Sequence, residues 1–318
     1  MLNLPEKVTV VDVSARDGLQ SLDRWVETNT KVRMVNRLTE AGLPVIEVTS
    51  FAHPKVVPHL RDAEEVMARI IRKPGVIYRA LAPNARGAER AVAAQAQEIL
   101  GLITASEAYN LKNQNMTLEQ GVKAAIETFL VADRAQIPFL IAIGMAWWCA
   151  YEGFISEERV FSLVRRLRDG GIRRFYLADS LGMEAPRNVN VRFRRLREEF
   201  PDIEVGFHVH NRAGNGAANV VAALDAGATF VEGSICGIGG GIMTPSNLGT
   251  FGNLATEDII NLLNEMDIQT GVSTDAALLA ARDIAAMLGV EPRSHLTAAG
   301  TRSYLMEQAR LHPRAHPA

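Results

Sequence analysis

Eight short apolar runs rich in β-branched residues alternate with longer stretches of helical spacing, and this alternation restricts the chain to an α/β architecture. The runs are Val8–Val13, Val45–Thr49, Ile77–Leu81, Ile99–Thr104, Phe139–Ala146, Arg174–Ala178, Ile203–Val209 and Phe230–Ile235. Helical spacing lies between them, for example over Thr30–Ala41, Asp62–Ile71, Leu118–Arg134, Glu157–Asp169, Pro186–Phe200 and Gly216–Ala226. Gly42, Gly171 and Gly227 each stand just past such a stretch, where a residue of left-handed conformation ends a helix most easily. The strands are too apolar to leave one face to solvent, so the expected fold is a closed parallel sheet ringed by helices, a (β/α)8 TIM barrel. Further helices are expected at Glu257–Met266, Ala276–Leu288 and Leu296–Leu311. No low-complexity linker separates them from the barrel, so the expectation is a single domain over 1–318. The barrel would occupy about residues 7–265 and a C-terminal helical extension about 266–312.

Composition narrows the class of partner. The charges nearly cancel, to a formal net of −2, which gives no electrostatic basis for a nucleic-acid or membrane-surface partner. No apolar run approaches the ~18 residues of a membrane span, and the start lacks the pattern of an export signal. Two cysteines, Cys149 and Cys236, argue against a disulfide framework. The expectation is a cytoplasmic protein acting on a small molecule.

Alternate residues of a strand point to the same side, so His208 and His210, in Phe-His-Val-His-Asn, present two imidazoles to one spot. Taken alone, such a pair fits an ordinary polar sheet face as well as a metal site. Oxygens from Asp17 and Asn253 could join it. Active sites of these barrels lie at the C-terminal ends of the strands, and polar residues gather there in this chain. Arg16, Asp17 and Gln20 follow the first run, Glu47 belongs to the second with Ser50 just after it, and Asp179 and Ser180 close the sixth. After the eighth run comes Gly237-Ile238-Gly239-Gly240-Gly241, which suits a plain turn, a lid over the site, or an anion cradle of backbone amides.

Six segments, in this order, carry a resemblance: Arg16-Asp-Gly-Leu-Gln20, Val45-Ile-Glu-Val-Thr-Ser-Phe51 followed by Pro54-Lys55, Leu177-Ala-Asp-Ser-Leu-Gly182, His208-Val-His-Asn211, Gly237-Ile-Gly-Gly240 and Gly252-Asn-Leu-Ala-Thr-Glu-Asp258. Together they resemble the 3-hydroxy-3-methylglutaryl-CoA lyase family, over roughly residues 7–265, within a superfamily of metal-dependent barrel lyases, aldolases and Claisen-type synthases. The resemblance implies an acyl-CoA substrate, a divalent cation such as magnesium or manganese held by Asp17, His208, His210 and Asn253, and a homodimer. It implies that Arg16 stabilises an enolate thioester oxygen, that Glu47 orients Arg16 or the metal-bound groups, and that Asp179, with His208, takes the hydroxyl proton. Gln20, Ser50, Asn113, Ser180 and Glu257 are expected as substrate contacts or supports, and Gly239, Gly240 and Gly241 as loop.

Two positions depart from the family pattern. The family carries a cysteine after its glycine-rich motif where this chain has Gly241, and a tyrosine in strand five where it has Ala142, with Trp147 and Trp148 nearby. The expected consequence is a differently shaped acyl pocket, with the tryptophans adding bulk. Related alternatives are a citramalyl-CoA or other hydroxyacyl-CoA lyase, a condensing or aldol enzyme of the same superfamily, and a metal- and CoA-binding protein without catalysis.

Overall fold

The computed structural model describes residues 2–240 and 252–311. The barrel strands are β1 (Thr9–Asp12), β2 (Val45–Ser50), β3 (Ile77–Leu81), β4 (Glu98–Thr104), β5 (Phe139–Gly144), β6 (Arg174–Asp179), β7 (Glu204–Val209) and β8 (Phe230–Gly233). Each pairs in parallel with its sequence neighbours. β1 then pairs with β8, Thr9 opposite Phe230, and the sheet closes. All eight expected strands form, each within two residues of the length of its apolar run.

The helices are α1 (Thr28–Glu40), α2 (Ala63–Arg69), α3 (Ala85–Ala93), α4 (Glu107–Gln114), α5 (Leu118–Arg134), α6 (Glu157–Asp169), α7 (Pro186–Glu199), α8 (Gly216–Asp225), α9 (Thr256–Glu265), α10 (Thr274–Leu288), α11 (His295–Ala299) and α12 (Arg302–Leu311). Side chains fix several starts. Asn84 accepts from the Gly87 amide at α3, Ser156 caps α6, and Thr117 with Gln120 forms a capping box at α5. Gly42, Gly171 and Gly227 all take positive φ, as their places after helices require.

One expected helix is two. The periodicity across Leu296–Leu311 conceals a break at Gly300, whose φ of 78° is left-handed and ends α11. A small hairpin, Trp148–Cys149 paired with Gly153–Phe154, was also not anticipated, because two-residue strands leave no periodic signal. Among the described residues no helix is long and apolar enough to cross a membrane. Both cysteines are free and buried.

Two apolar layers hold the fold. The larger lies between strands and helices, where Ile46, Ile99, Ile141, Phe175 and Phe207 meet the inward faces of the helices. The smaller fills the barrel interior with Val11, Leu81, Leu100, Leu140, Ala142, Tyr176 and Phe230. The interior also holds charge: Glu47, Arg79, Glu98 and Glu232 are essentially without solvent exposure. Arg79 bonds Glu98 at 2.6 Å and also pairs with Glu232. Arg174 holds the other oxygen of Glu98.

Candidate active site and metal centre

The chain leaves β1 through one tight π-helical turn, Ser14–Gly18, in which the amides of Asp17 and Gly18 both reach the Val13 carbonyl, at 2.7 and 3.3 Å. Such single turns concentrate at functional sites because they aim consecutive side chains differently from a strand or an α-helix. Here the turn buries Arg16 and Asp17 side by side, with Arg16 Nη1 donating to Asp17 Oδ1 at 2.7 Å. Arg16 Nε donates to Glu47 from β2, so the guanidinium is held from two directions.

On the opposite wall, strand alternation brings His208 and His210 to one side, with their Nε2 atoms 3.2 Å apart. His208 Nδ1 lies 3.0 Å from Glu232 Oε2, and Glu232 is in turn paired with Arg79. A carboxylate on Nδ1 places the ring proton there and leaves Nε2 as a lone pair aimed into the site. His210 lies just past β7 in an isolated antiparallel bridge with Asn253, which draws the segment after the glycine loop onto the barrel mouth. Asn253 Nδ2 donates to Asp17 Oδ2 at 2.7 Å and to the Ile238 carbonyl at 3.1 Å.

Asp17, His208 and His210 are all buried, and their ligand atoms lie within 4.8 Å of one another. The amide oxygen of Asn253 is buried with no hydrogen-bond partner among the described residues, a costly state for a polar atom. One carboxylate, two imidazoles and a spare amide oxygen are the donors that suit a hard or borderline divalent cation, so the residues present fit such an ion. Burial works to raise the Asp17 carboxyl, but Arg16, both histidines and the Asn253 amide outweigh it and hold it below the usual range. Asp17 is therefore anionic at neutral pH, as a ligand must be.

Gly239 closes the site from above. Its φ is +128°, and a Cβ there would stand 2.2 Å from Asn253 Nδ2 and 2.9 Å from Asp17 Oδ2, so any side chain would strain the backbone and displace the Asn253 amide. Gly240 likewise has positive φ, and Gly241 lies outside the described residues. The site opens into a cavity of about 390 Å³ walled by Gln20, Ser50, Asn113 and Ser180 as well as Arg16 and the histidines. Gln20 Nε2 also supports Asp17 Oδ1 at 2.8 Å, and Ser180 Oγ accepts from the Met145 amide at 2.9 Å.

Four expected residues sit differently. Glu257 is fully buried at the start of α9, where its carboxyl accepts from the Cys236 amide at 3.1 Å, and it is not part of the cavity wall. Its place after Asn253 in the motif turns it under the barrel rim instead of into the mouth. Trp147 packs in the core against Phe193 and Phe207, while Trp148 stands on the hairpin against Phe154, so neither shapes the acyl pocket. Asp179 is one residue behind the wall. Its oxygens accept from the amides of Met183 (3.3 Å) and Glu184 (3.1 Å), and burial pushes its carboxyl up to about 6.

Residue-by-residue reading missed Glu232, Arg79 and Tyr176. The Tyr176 ring stacks on His208, with centroids 5.5 Å apart and planes at 19°. The available signal was a charged or polar side chain in the middle of an apolar barrel strand, as in Ile-Tyr-Arg-Ala-Leu and Phe-Val-Glu-Gly. Such a residue must find its partner inside the barrel.

Residues 7–284 match the HMGL-like family. A hydroxymethylglutaryl-CoA lyase of Bacillus subtilis is 37% identical over 285 residues, covering 90% of this chain and 94% of the relative. The mitochondrial hydroxymethylglutaryl-CoA lyase of Gallus gallus is 37% identical, covering 84% and 89%. Among solved structures, an HMG-CoA lyase of Acinetobacter baumannii in complex with coenzyme A and 3-methylmalate superposes with a TM-score of 0.88 at 35% identity, covering 98% of each chain.

Proposed function

The chain belongs to the HMGL-like family, and from that membership we propose that it is a divalent-metal-dependent lyase cleaving 3-hydroxy-3-methylglutaryl-CoA to acetyl-CoA and acetoacetate. The observation that carries the reading is the buried Asp17, His208 and His210 cluster, with its spare Asn253 oxygen, beside Arg16 on the floor of a deep cavity. Magnesium or manganese bound by these four residues would supply Lewis acidity to the substrate's oxygens.

In the reaction the 3-hydroxyl loses its proton and the C2–C3 bond breaks. The electron pair passes to the acetyl-CoA enolate, the old hydroxyl carbon becomes the ketone of acetoacetate, and the enolate carbon then takes up one proton to give acetyl-CoA. Arg16 faces the charge that develops on the thioester oxygen, a charge absent from the ground state, so its contribution is to the rate more than to binding. Glu47 keeps that guanidinium from swinging into the pocket. Glu232 fixes His208 in one tautomer. Asp179 lies one residue behind the wall and does not face the substrate, so the proposed route of the hydroxyl proton to it runs through one bridging water, its carboxyl near 6 being suited to general-base work at neutral pH. A homodimer in the cytoplasm completes the reading, by analogy with the family.

The test is acetyl-CoA release from 3-hydroxy-3-methylglutaryl-CoA with magnesium or manganese, and again after chelation. Release that stops with the chelator supports the lyase. No release from a metal-loaded, folded protein refutes this substrate. A second reading, a lyase for another 3-hydroxy dicarboxylyl-CoA such as citramalyl-CoA, is favoured by the small Ala142 on the cavity wall, and a panel of such thioesters separates the two.

A further inference from the structure

The wall of the cavity between β5 and β6 is built from an unequal pair. Ala142 and Tyr176 are register partners across the two strands, and both face the barrel interior and line the cavity. Alanine on one strand leaves room that the phenol of the other fills. The ring lies nearly parallel to His208 and close to it, so it is fixed by stacking instead of being free to rotate away.

Tyr176 is 3% exposed, yet no hydrogen bond to its hydroxyl is found among the described residues, and no mechanism step above uses it. A buried phenol normally finds a partner. Neither neighbouring carboxylate accepts from it: Glu232 is held by Arg79 and His208, and Glu47 is held by Arg16 through Oε1, while its buried Oε2 lies beyond hydrogen-bond reach of any group among the described residues, the phenol included. A phenol is a hydrogen-bond donor at neutral pH, and what this one lacks is an acceptor from outside the protein.

We propose that Tyr176 determines acyl-group specificity, its hydroxyl donating to an oxygen of the acyl portion and its ring limiting the size of the substituent opposite Ala142. The proposal rests on the reading that an acyl thioester occupies this cavity. It places the acyl group under the β5–β6 wall, between Tyr176 and Arg16. Tyr176 is a positioning residue here, acting on binding and orientation, and the bond-breaking charge remains with Arg16.

The experiment compares wild type with Tyr176→Phe and Tyr176→Ala. The first probe is calorimetric binding of 3-methylmalate to protein loaded with magnesium and coenzyme A, which needs no turnover. Tyr176→Phe keeps the ring and the stack on His208, and is expected to bind 3-methylmalate about tenfold more weakly with unchanged metal content and coenzyme A affinity. Equal affinity in the two proteins overturns the hydroxyl's role, and so does a wild type that binds no 3-methylmalate. The second probe is turnover of thioesters with 3-methyl and longer 3-alkyl groups. Tyr176→Ala is expected to shift preference toward the longer group by tenfold or more. An unchanged ranking overturns the ring's role, and if Tyr176→Ala does not fold, Ala142→Leu, expected to shift preference the opposite way, decides the matter. A wild type that binds 3-methylmalate through Tyr176 but cleaves no thioester refutes the lyase while leaving the specificity residue in place.

Discussion

Replacing Arg79 by methionine isolates what the interior charges contribute. Arg79 is 1% exposed and touches three carboxylates: Glu98 at 2.6 Å, Glu232 by a direct hydrogen bond, and Glu47 at 3.8 Å. After the substitution Glu98 still has Arg174 and Glu47 still has Arg16. Only Glu232 is stranded, with His208 as its remaining partner. Breaking one buried pair so that one charge is orphaned costs about 3–5 kcal/mol. Taking about 2 °C per kcal/mol, the lower end for large domains, that is a fall of roughly 6–10 °C in the thermal midpoint. The fall should also depend on pH. In the wild type, burial works to raise the Glu98 carboxyl, but Arg79 and Arg174 outweigh it and hold it below its ordinary 4.5. A carboxyl depressed in the folded state contributes stability above its unfolded pKa and loses it as pH falls through the folded value. Without Arg79 that contribution shrinks, so the deficit should be larger at pH 8 than at pH 4.5, where protonation relieves the surplus negative charge. Arg79→Lys should recover only part, since an ammonium cannot span two carboxylates as the guanidinium fork does. Differential scanning calorimetry at the two pH values measures both effects. A deficit under about 1 kcal/mol at pH 8, the range of an exposed pair, would refute the reasoning.

Arg16→Met is expected to leave metal content intact and lower kcat by about 10²–10³-fold, the scale of losing one preorganised donor to a developing oxyanion; an unchanged kcat in steady-state assays removes the enolate role. Gly239→Ala should weaken manganese binding, read by equilibrium dialysis, because the added Cβ would stand 2.2 Å from Asn253 Nδ2; wild-type affinity would mean the loop yields without disturbing the ligands. Glu257→Gln tests the opposite pH sign to Glu98. Burial first, and then Asp258, raise the Glu257 carboxyl to about 8, so the folded state retains a proton that the unfolded state releases above 4.5, and stability falls as pH rises between those values. The glutamine variant lacks this penalty, and its advantage in denaturant midpoint should grow from pH 5 to pH 8, whereas a constant difference excludes the titration.

The barrel and its mouth were legible in the sequence for different reasons. Strand existence follows from apolar runs that cannot face water, and closure follows from having eight of them in strict alternation with helices. The His208 and His210 convergence follows from the two-residue period alone. Glu47 reaching Arg16 required only that neighbouring strand ends meet. What escaped is what depends on side-chain direction. Asp179 and Ser180 are adjacent at the end of β6, yet Ser180 lines the cavity and Asp179 is turned back to the Met183 and Glu184 amides. Glu257 follows Asn253 by four residues, but the helix that begins at Thr256 carries it beneath the rim. The tryptophans look like pocket residues from their nearness to strand five, but β5 ends at Gly144, and past that point the chain leaves the interior for the outer layer. Tyr176 was hidden by the same logic in reverse. It reads as one more apolar strand residue until closure of the barrel sets it opposite Ala142 and against His208, so its meaning resides in register between strands, which no single segment contains.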